Sequence, residues 1–278
     1  MQDIIFKTND GWELPATLYV SANAKGPLVL ISAATGVPRR FYRHFAQYLA
    51  DDGASAVMTY DYRGMNGGIT QRQARSMRMS DWALRDLPAA VEALQRRYPN
   101  TALRGIGHSF GGQALGLSGV ARRFERYMTI AAGSGYLGHM REHRKLSLMI
   151  NWLGWPAAAL LGALPRWAGL GEPIPYGAFN QWRRWCNDPR YFMSDASLPE
   201  IRRFAEVRIP VLAVGFGDDP WAPRKSVEAM VAWYSNAQIR LHWFNQRDLD
   251  KPVGHLGFFS SVHRHTLWPQ LADWLLQP

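Results

Sequence analysis

Gly107-His108-Ser109-Phe110-Gly111 places a serine hydroxyl between glycines that permit a sharp, strained turn from strand to helix. A hydroxyl is a weak nucleophile at neutral pH. It needs an imidazole to take its proton and a carboxylate to orient that imidazole. Both follow later in the chain. Asp218-Asp219 stands at the end of the apolar run Val211-Leu212-Ala213-Val214-Gly215, and His255 stands in Val253-Gly254-His255-Leu256-Gly257. The chemistry these types support is nucleophilic acyl transfer by Ser109 with His255 as base. Either Asp218 or Asp219 is a candidate to orient the imidazole.

Other chemistry-bearing patterns read as structural. His139-Met140-Arg141-Glu142-His143 matches a zinc-peptidase pattern, but Arg141 and Arg144 oppose a dication and no third ligand is indicated, so no metal is expected. His108 is expected to pack beside the nucleophile turn. His263 and His265 are two residues apart and cannot share a helix face. Arg63, in Asp61-Tyr62-Arg63-Gly64, is expected to pair within loops. Trp152, Trp155, Trp167, Trp182 and Trp185 are candidates either to line an acyl pocket or to hold their segment on the core.

The elements that must position Ser109, the aspartates and His255 alternate between short apolar runs and longer amphipathic stretches, the pattern of a mostly parallel sheet with helices on both faces. An opening hairpin is expected from 4–7 and 14–20 across the Asn9-Asp10-Gly11 turn. Strands are expected at 28–33, 54–61, 102–107, 127–132, 211–215 and 238–244. Helices are expected at 41–51, 81–98 (with Ser80 as its cap), 223–234 and 258–276. Alternation stops between 134 and 206, a tract rich in Trp, Pro, Gly and Arg. The expected organisation is therefore a core of 1–133 and 207–278 with a helical cap, 134–206, inserted into it.

The composition bounds the partners. The 278 residues are 47% hydrophobic and 19% charged, enough apolar surface for one sizeable core. The net charge of +10 comes from arginines scattered in ones and twos, without a nucleic-acid motif, so no nucleic-acid partner is expected. With Cys186 alone no intrachain disulfide forms. With no leader-like N-terminus either, the expected location is cytoplasmic. The uncharged stretch 146–165 is about the length of a membrane span. Asn151, Gly154, Pro156, Gly162 and Pro165 are expected to break it into two short helices, leaving at most weak contact with a lipid surface.

Taken together, Ala33-Ala34-Thr35-Gly36-Val37-Pro38, Asp61-Tyr62-Arg63-Gly64, the Gly107–Gly112 run, Asp218-Asp219-Pro220-Trp221-Ala222-Pro223 and Gly254-His255-Leu256-Gly257-Phe258-Phe259 resemble the α/β-hydrolase superfamily across essentially the whole chain. The nearest resemblance is to bacterial predicted hydrolases with a serine-aminopeptidase-like domain. It implies the α/β-hydrolase fold and a Ser109, His255, Asp219 triad in the family's chain order, since relatives with a doubled aspartate before proline usually use the second. Asp218 is then left to support the loop. It also implies an oxyanion hole from the Phe110 amide and an amide of the loop after Ala33. That loop has Ala-Ala-Thr where relatives often have His-Gly, so Ala34 and Thr35 both stay candidates. The expected reaction is cleavage of a hydrophobic carboxylic ester or thioester, without cofactor. Amide or peptide cleavage, and a non-catalytic binding or lipid-surface role, are the alternatives. Oligomeric state is not legible.

Overall fold

Apolar runs buried on both faces make the middle of an eight-stranded sheet, because parallel strands covered by helices on either side have no solvent face to keep polar. The computed structural model describes residues 1–21, 25–65 and 67–277. In chain order the sheet strands are β1 (Gln2–Lys7), β2 (Glu13–Val20), β3 (Leu28–Ser32), β4 (Ala56–Tyr60), β5 (Leu103–His108) and β6 (Arg126–Ile130). A small antiparallel pair, β7 (Ala163–Leu164) and β8 (Ile174–Pro175), lies outside the sheet, which β9 (Pro210–Phe216) and β10 (Gln238–Phe244) complete.

The spatial order is β1-β2-β4-β3-β5-β6-β9-β10. β1 pairs antiparallel with β2, and β2 antiparallel with β4, while every pairing from β4 through β10 is parallel. From β3 the chain moves outward to β4 and then returns to β5 on the other side of β3. The carboxyl ends of β3 and β5 therefore flank a topological switch point, where open sheets of this kind leave a crevice for ligands.

Helices α1 (Arg43–Asp51), α2 (Gln71–Ser76), α3 (79–97), α4 (Phe110–Ser118), α5 (143–161), α6 (Tyr176–Cys186), α7 (Arg224–Val231) and α8 (Trp268–Leu276) follow the sequence pattern except for α2, which no expected element covers, and four further differences. Ser80 does not cap α3. Arg78 is the cap residue, its backbone N–H donating to the Asp81 carboxylate at 2.8 Å. The expected closing helix from 258 instead begins at Trp268, preceded by short 3₁₀ turns at Gly257–Phe259 and Ser261–His263. Pro269 lacks the N–H a helix interior requires and is tolerated only in the first turn, which sets that start.

The third difference is α5, a continuous helical run over 143–161 rather than two pieces. Pro156 is accommodated by widening the preceding turn to π spacing: the Trp155 N–H bonds the Ile150 carbonyl five residues back. Pro88 in α3 is handled alike, with Leu87 N–H on the Trp82 carbonyl. Ile150, Gly154 and Ala158 form the buried stripe of α5, while Trp152 and Leu160 are 74% and 82% exposed. Among the described residues no helix is long and apolar enough to cross a membrane. The fourth difference is the β7/β8 pair within 134–206, a tract expected to be helical only.

Candidate active site

The strand β5 ends directly in the turn that carries Ser109. Ser109 has φ +51°, a strained conformation for a residue with a Cβ. The flanking glycines are steric requirements. A Cβ at position 107 would lie 2.4 Å from the Gly111 and Gly112 backbone, and one at 111 would lie 2.2 Å from the Ser32 carbonyl oxygen at the end of β3. Helix α4 starts at Phe110, whose amide N–H, in the first turn, has no carbonyl of its own helix to bond.

Ser109 meets residues from two distant loops. His255 Nε2 is 3.0 Å from Ser109 Oγ, and His255 Nδ1 is 2.9 and 3.1 Å from the two carboxylate oxygens of Asp219. A carboxylate only accepts, so Nδ1 carries the proton and Nε2 is left to accept the serine hydroxyl. Asp219 is buried, and its Oδ1 is also held by the Trp221 and Ala222 amides at 2.8 and 3.0 Å. Asp218 turns away from the imidazole. Its Oδ2 accepts the Val253 and Gly254 amides at 2.7 and 3.0 Å, pinning the loop that carries His255.

A second, largely buried chain of hydrogen bonds runs beneath these groups. The Ala34 amide donates to Tyr42 Oη at 2.9 Å. Tyr42 Oη, so engaged as acceptor, donates its own proton to His108 Nδ1 at 2.9 Å, and His108 Nε2–H donates to the His255 carbonyl at 2.8 Å. Burial away from water disfavours the imidazolium and pushes the His108 pKa down to about 3. This chain ties the loop after β3, the residue before Ser109 and the loop of His255 into one unit. It also consumes the Ala34 amide. The Thr35 amide has no hydrogen-bond partner among the described residues.

A cavity of about 480 Å³ opens over Ser109, Thr35 and His255. Its opposite wall comes from segment 134–206, through Met140, Leu170, Trp182 and Tyr191. No Asp, Glu, Lys or Arg lines it. The loop at 170–172 is fastened to the loop after β3: the Glu172 amide donates to the Gly36 carbonyl at 2.7 Å, and the Glu172 carboxylate pairs with Arg40 at 2.6 Å and with Arg166.

The remaining candidates separate cleanly. Of the five tryptophans singled out, Trp182 lines the cavity, Trp185 is buried on Asp195, and Trp152, Trp155 and Trp167 are exposed. Arg63 is buried in ion pairs with Asp86 and Asp10, both at 2.7 Å, away from the cavity. His139 closes a 3₁₀ turn and His143 opens α5, so the two do not stand on one helix face as the zinc pattern demands. Among the described residues no group of three His, Cys, Asp or Glu is placed to hold a metal ion. Tyr42, Gln113 and Tyr191 border the site without any motif to announce them.

The profile of the alpha/beta hydrolase family matches residues 28–264. The chain belongs to that family. Solved alpha/beta hydrolases share its fold at low identity. The esterase domain of a Rhodothermus marinus protein superposes with a TM-score of 0.59 at 16% identity, covering 98% of this chain and 96% of that one. An esterase of Pyrococcus furiosus gives 0.62 at 15%, covering 99% and 89%. The alpha/beta hydrolase GrgF from a Penicillium species gives 0.62 at 17%, covering 99% and 98%. No curated protein sequence matches the chain. In this alpha/beta hydrolase the strand order and the placement of Ser109 after β5 follow from the same architecture.

Proposed function

We propose that this chain is a serine hydrolase that cleaves a carboxylic ester or thioester with an apolar chain, through an acyl-enzyme on Ser109. The observation that carries the proposal is the unbroken contact from Ser109 Oγ to His255 Nε2 and from His255 Nδ1 to Asp219. His255 removes the hydroxyl proton as Ser109 attacks the carbonyl carbon, and Asp219 steadies the imidazolium that forms. The oxyanion is met by the amides of Phe110 and Thr35. Ala34 is excluded from that role because Tyr42 holds its N–H. His255 then protonates the leaving alcohol or thiol and activates the water that releases the acid. Segment 134–206 acts as the cap that walls the site.

The uncharged lining favours a neutral, largely apolar substrate over a peptide terminus, and Arg63 is unavailable to bind one. A fluorophosphonate probe, with Ser109→Ala as control, tests the reading. Covalent labelling of the native chain and none of the variant is expected, together with turnover of nitrophenyl esters. Absence of any adduct on Ser109 would sink the proposal.

A further inference from the structure

A surface helix ordinarily turns an apolar stripe to the core and its polar side to water. Helix α5 does only the first. Ile150, Gly154 and Ala158 seat it on the fold, so closely that a Cβ at Gly154 would lie 3.0 Å from the Leu164 side chain and 3.3 Å from Phe179. Its outer side is apolar too. Leu148, Trp152, Leu153 and Leu160, with Leu161 at its end and Trp167 in the 3₁₀ turn at Arg166–Ala168, are each more than half exposed. Apolar side chains scattered singly over a surface are ordinary. So many on one short length of chain mark a contact face.

The charges around this face are mostly of one sign. From 143 through 171 the chain holds no Asp or Glu, while Arg144 and Lys145 stand at one end of the tract and Arg166 near the other. Two acids border it. Glu142 pairs with Lys145 at 3.1 Å, and Glu172 pairs with Arg40 and Arg166. Arg141 and Arg144 are exposed and have no ion pair among the described residues. Arg183 of α6 lies over the Trp155 ring, its Cζ 4.9 Å from the centroid, which holds a further guanidinium against a partly exposed indole.

These charges select the occupant. In a twofold contact with a second copy the face meets itself, so its cations would oppose one another and the tract offers no carboxylate in exchange. Nor can α5 cross a membrane, since its buried stripe is packed against the fold and no helix among the described residues is long and apolar enough. An anionic bilayer surface suits every feature. Acyl chains cover leucine and tryptophan side chains without demanding a particular shape, indoles favour the headgroup boundary, and lipid phosphates meet the guanidinium groups of Arg141 and Arg144. We infer that α5 and the turn at Trp167 form a docking face for an anionic phospholipid surface, on which the helix lies flat. Residues 169–171, directly after that turn, line the cavity over Ser109, so docking brings the cavity wall towards the lipid. The inference stands whether or not Ser109 hydrolyses an ester.

The test is co-sedimentation of the full chain with vesicles of phosphatidylcholine alone and of phosphatidylcholine mixed with phosphatidylglycerol, at low and high salt. Partitioning onto the mixed vesicles is expected to be about tenfold or more stronger than onto the neutral ones, and to weaken as salt screens the phosphates. Trp152→Ser combined with Leu160→Ser is expected to lower it about tenfold or more by removing apolar contact. Arg141→Gln combined with Arg144→Gln is expected to cut the preference for mixed vesicles about fivefold or more. All four side chains are exposed, so urea midpoints close to that of the native chain are expected. If the serine pair folds poorly, Trp167→Ser reads the same loss. No partitioning onto mixed vesicles overturns the docking face, and so does equal partitioning onto both kinds. Binding that the serine pair leaves unchanged also overturns it, because the attraction then belongs to the chain's general positive charge. A lipid-free dimer in sedimentation velocity that the serine pair converts to monomer does so as well, since a second copy then covers the face.

Discussion

Replacing Tyr42 by phenylalanine removes one oxygen from the centre of the site and leaves the ring's packing in place. Among the described residues the hydroxyl is the only partner of two buried groups, the Ala34 amide and His108 Nδ1, at 2.9 Å each. Leaving a buried donor or acceptor unpaired costs about 1–3 kcal/mol, so the two together lower unfolding stability by roughly 2–6 kcal/mol. The imidazole offers no escape by protonation, because its pKa is about 3 in the folded chain. A domain has about 5–15 kcal/mol to lose, so most of the variant stays folded at neutral pH. Urea titration reads the loss as a lower midpoint at constant slope. The catalytic consequence is separate. With its N–H released, the 33–34 peptide is free to reorient, and the Thr35 amide that follows it loses its aim at the oxyanion. Misdirecting one such donor costs up to about 10²–10³ in kcat, so a fall of about ten- to a hundredfold in kcat on nitrophenyl acetate is expected. A stability change under about 0.5 kcal/mol would refute the hydrogen-bond chain. Full activity in a destabilised variant would refute its link to the oxyanion loop.

The two aspartates should separate sharply in kcat. Asp219→Asn is expected to lose about 10⁴-fold by stabilising the wrong imidazole tautomer, and Asp218→Asn about tenfold or less, since an amide oxygen still accepts from Val253 and Gly254. Equal losses would contradict the assignment. His108 adds a pH signature. The unfolded chain takes up its proton below pH ~6.5 while the folded chain resists until about 3, so native stability declines as pH falls through that window, by up to ~1.4 kcal/mol per unit. His108→Gln removes this contribution, so the stability difference between native and variant chains should shrink from pH 7 to pH 4 in urea midpoints; a constant difference counts against a neutral buried imidazole. Finally, Gly111→Ala forces a methyl onto the Ser32 carbonyl and should cost about 1–3 kcal/mol, read as a lower Tm; an unchanged Tm would show that α4 can shift away from β3.

Much of the scaffold was readable because its signals are local. The runs that became β3 and β9 are almost wholly apolar, as strands buried on both faces tend to be, and the turn at Ser109 is bracketed by glycines that sterics demand. The misreadings were local too, but concerned competition between signals. Pro156 and Pro88 break an α-helical ladder in principle, yet widening one turn to π spacing kept α5 and α3 continuous. Trp268-Pro269 held a start signal for the last helix that the apolar residues from 258 onward masked.

Types and order alone were enough to nominate Ser109, His255 and a carboxylate from the 218–219 pair, because nucleophile, acid and base each need a particular functional group at the end of a particular strand. They could not decide between Asp218 and Asp219, whose side chains leave adjacent positions in different directions. In the fold the Asp219 carboxylate meets the imidazole and that of Asp218 meets the backbone of residues 253–254. Nor could spacing join Tyr42 to His108, or bring Gln113 and Tyr191 to the lining of one cavity, since these placements arise from packing between elements 66 and 78 residues apart. A hydroxyl's availability depends on what surrounds it in three dimensions. That is why the withdrawal of the Ala34 amide, the unpaired Thr35 amide and the unpaired Tyr191 oxygen belong to the tertiary structure and not to the sequence.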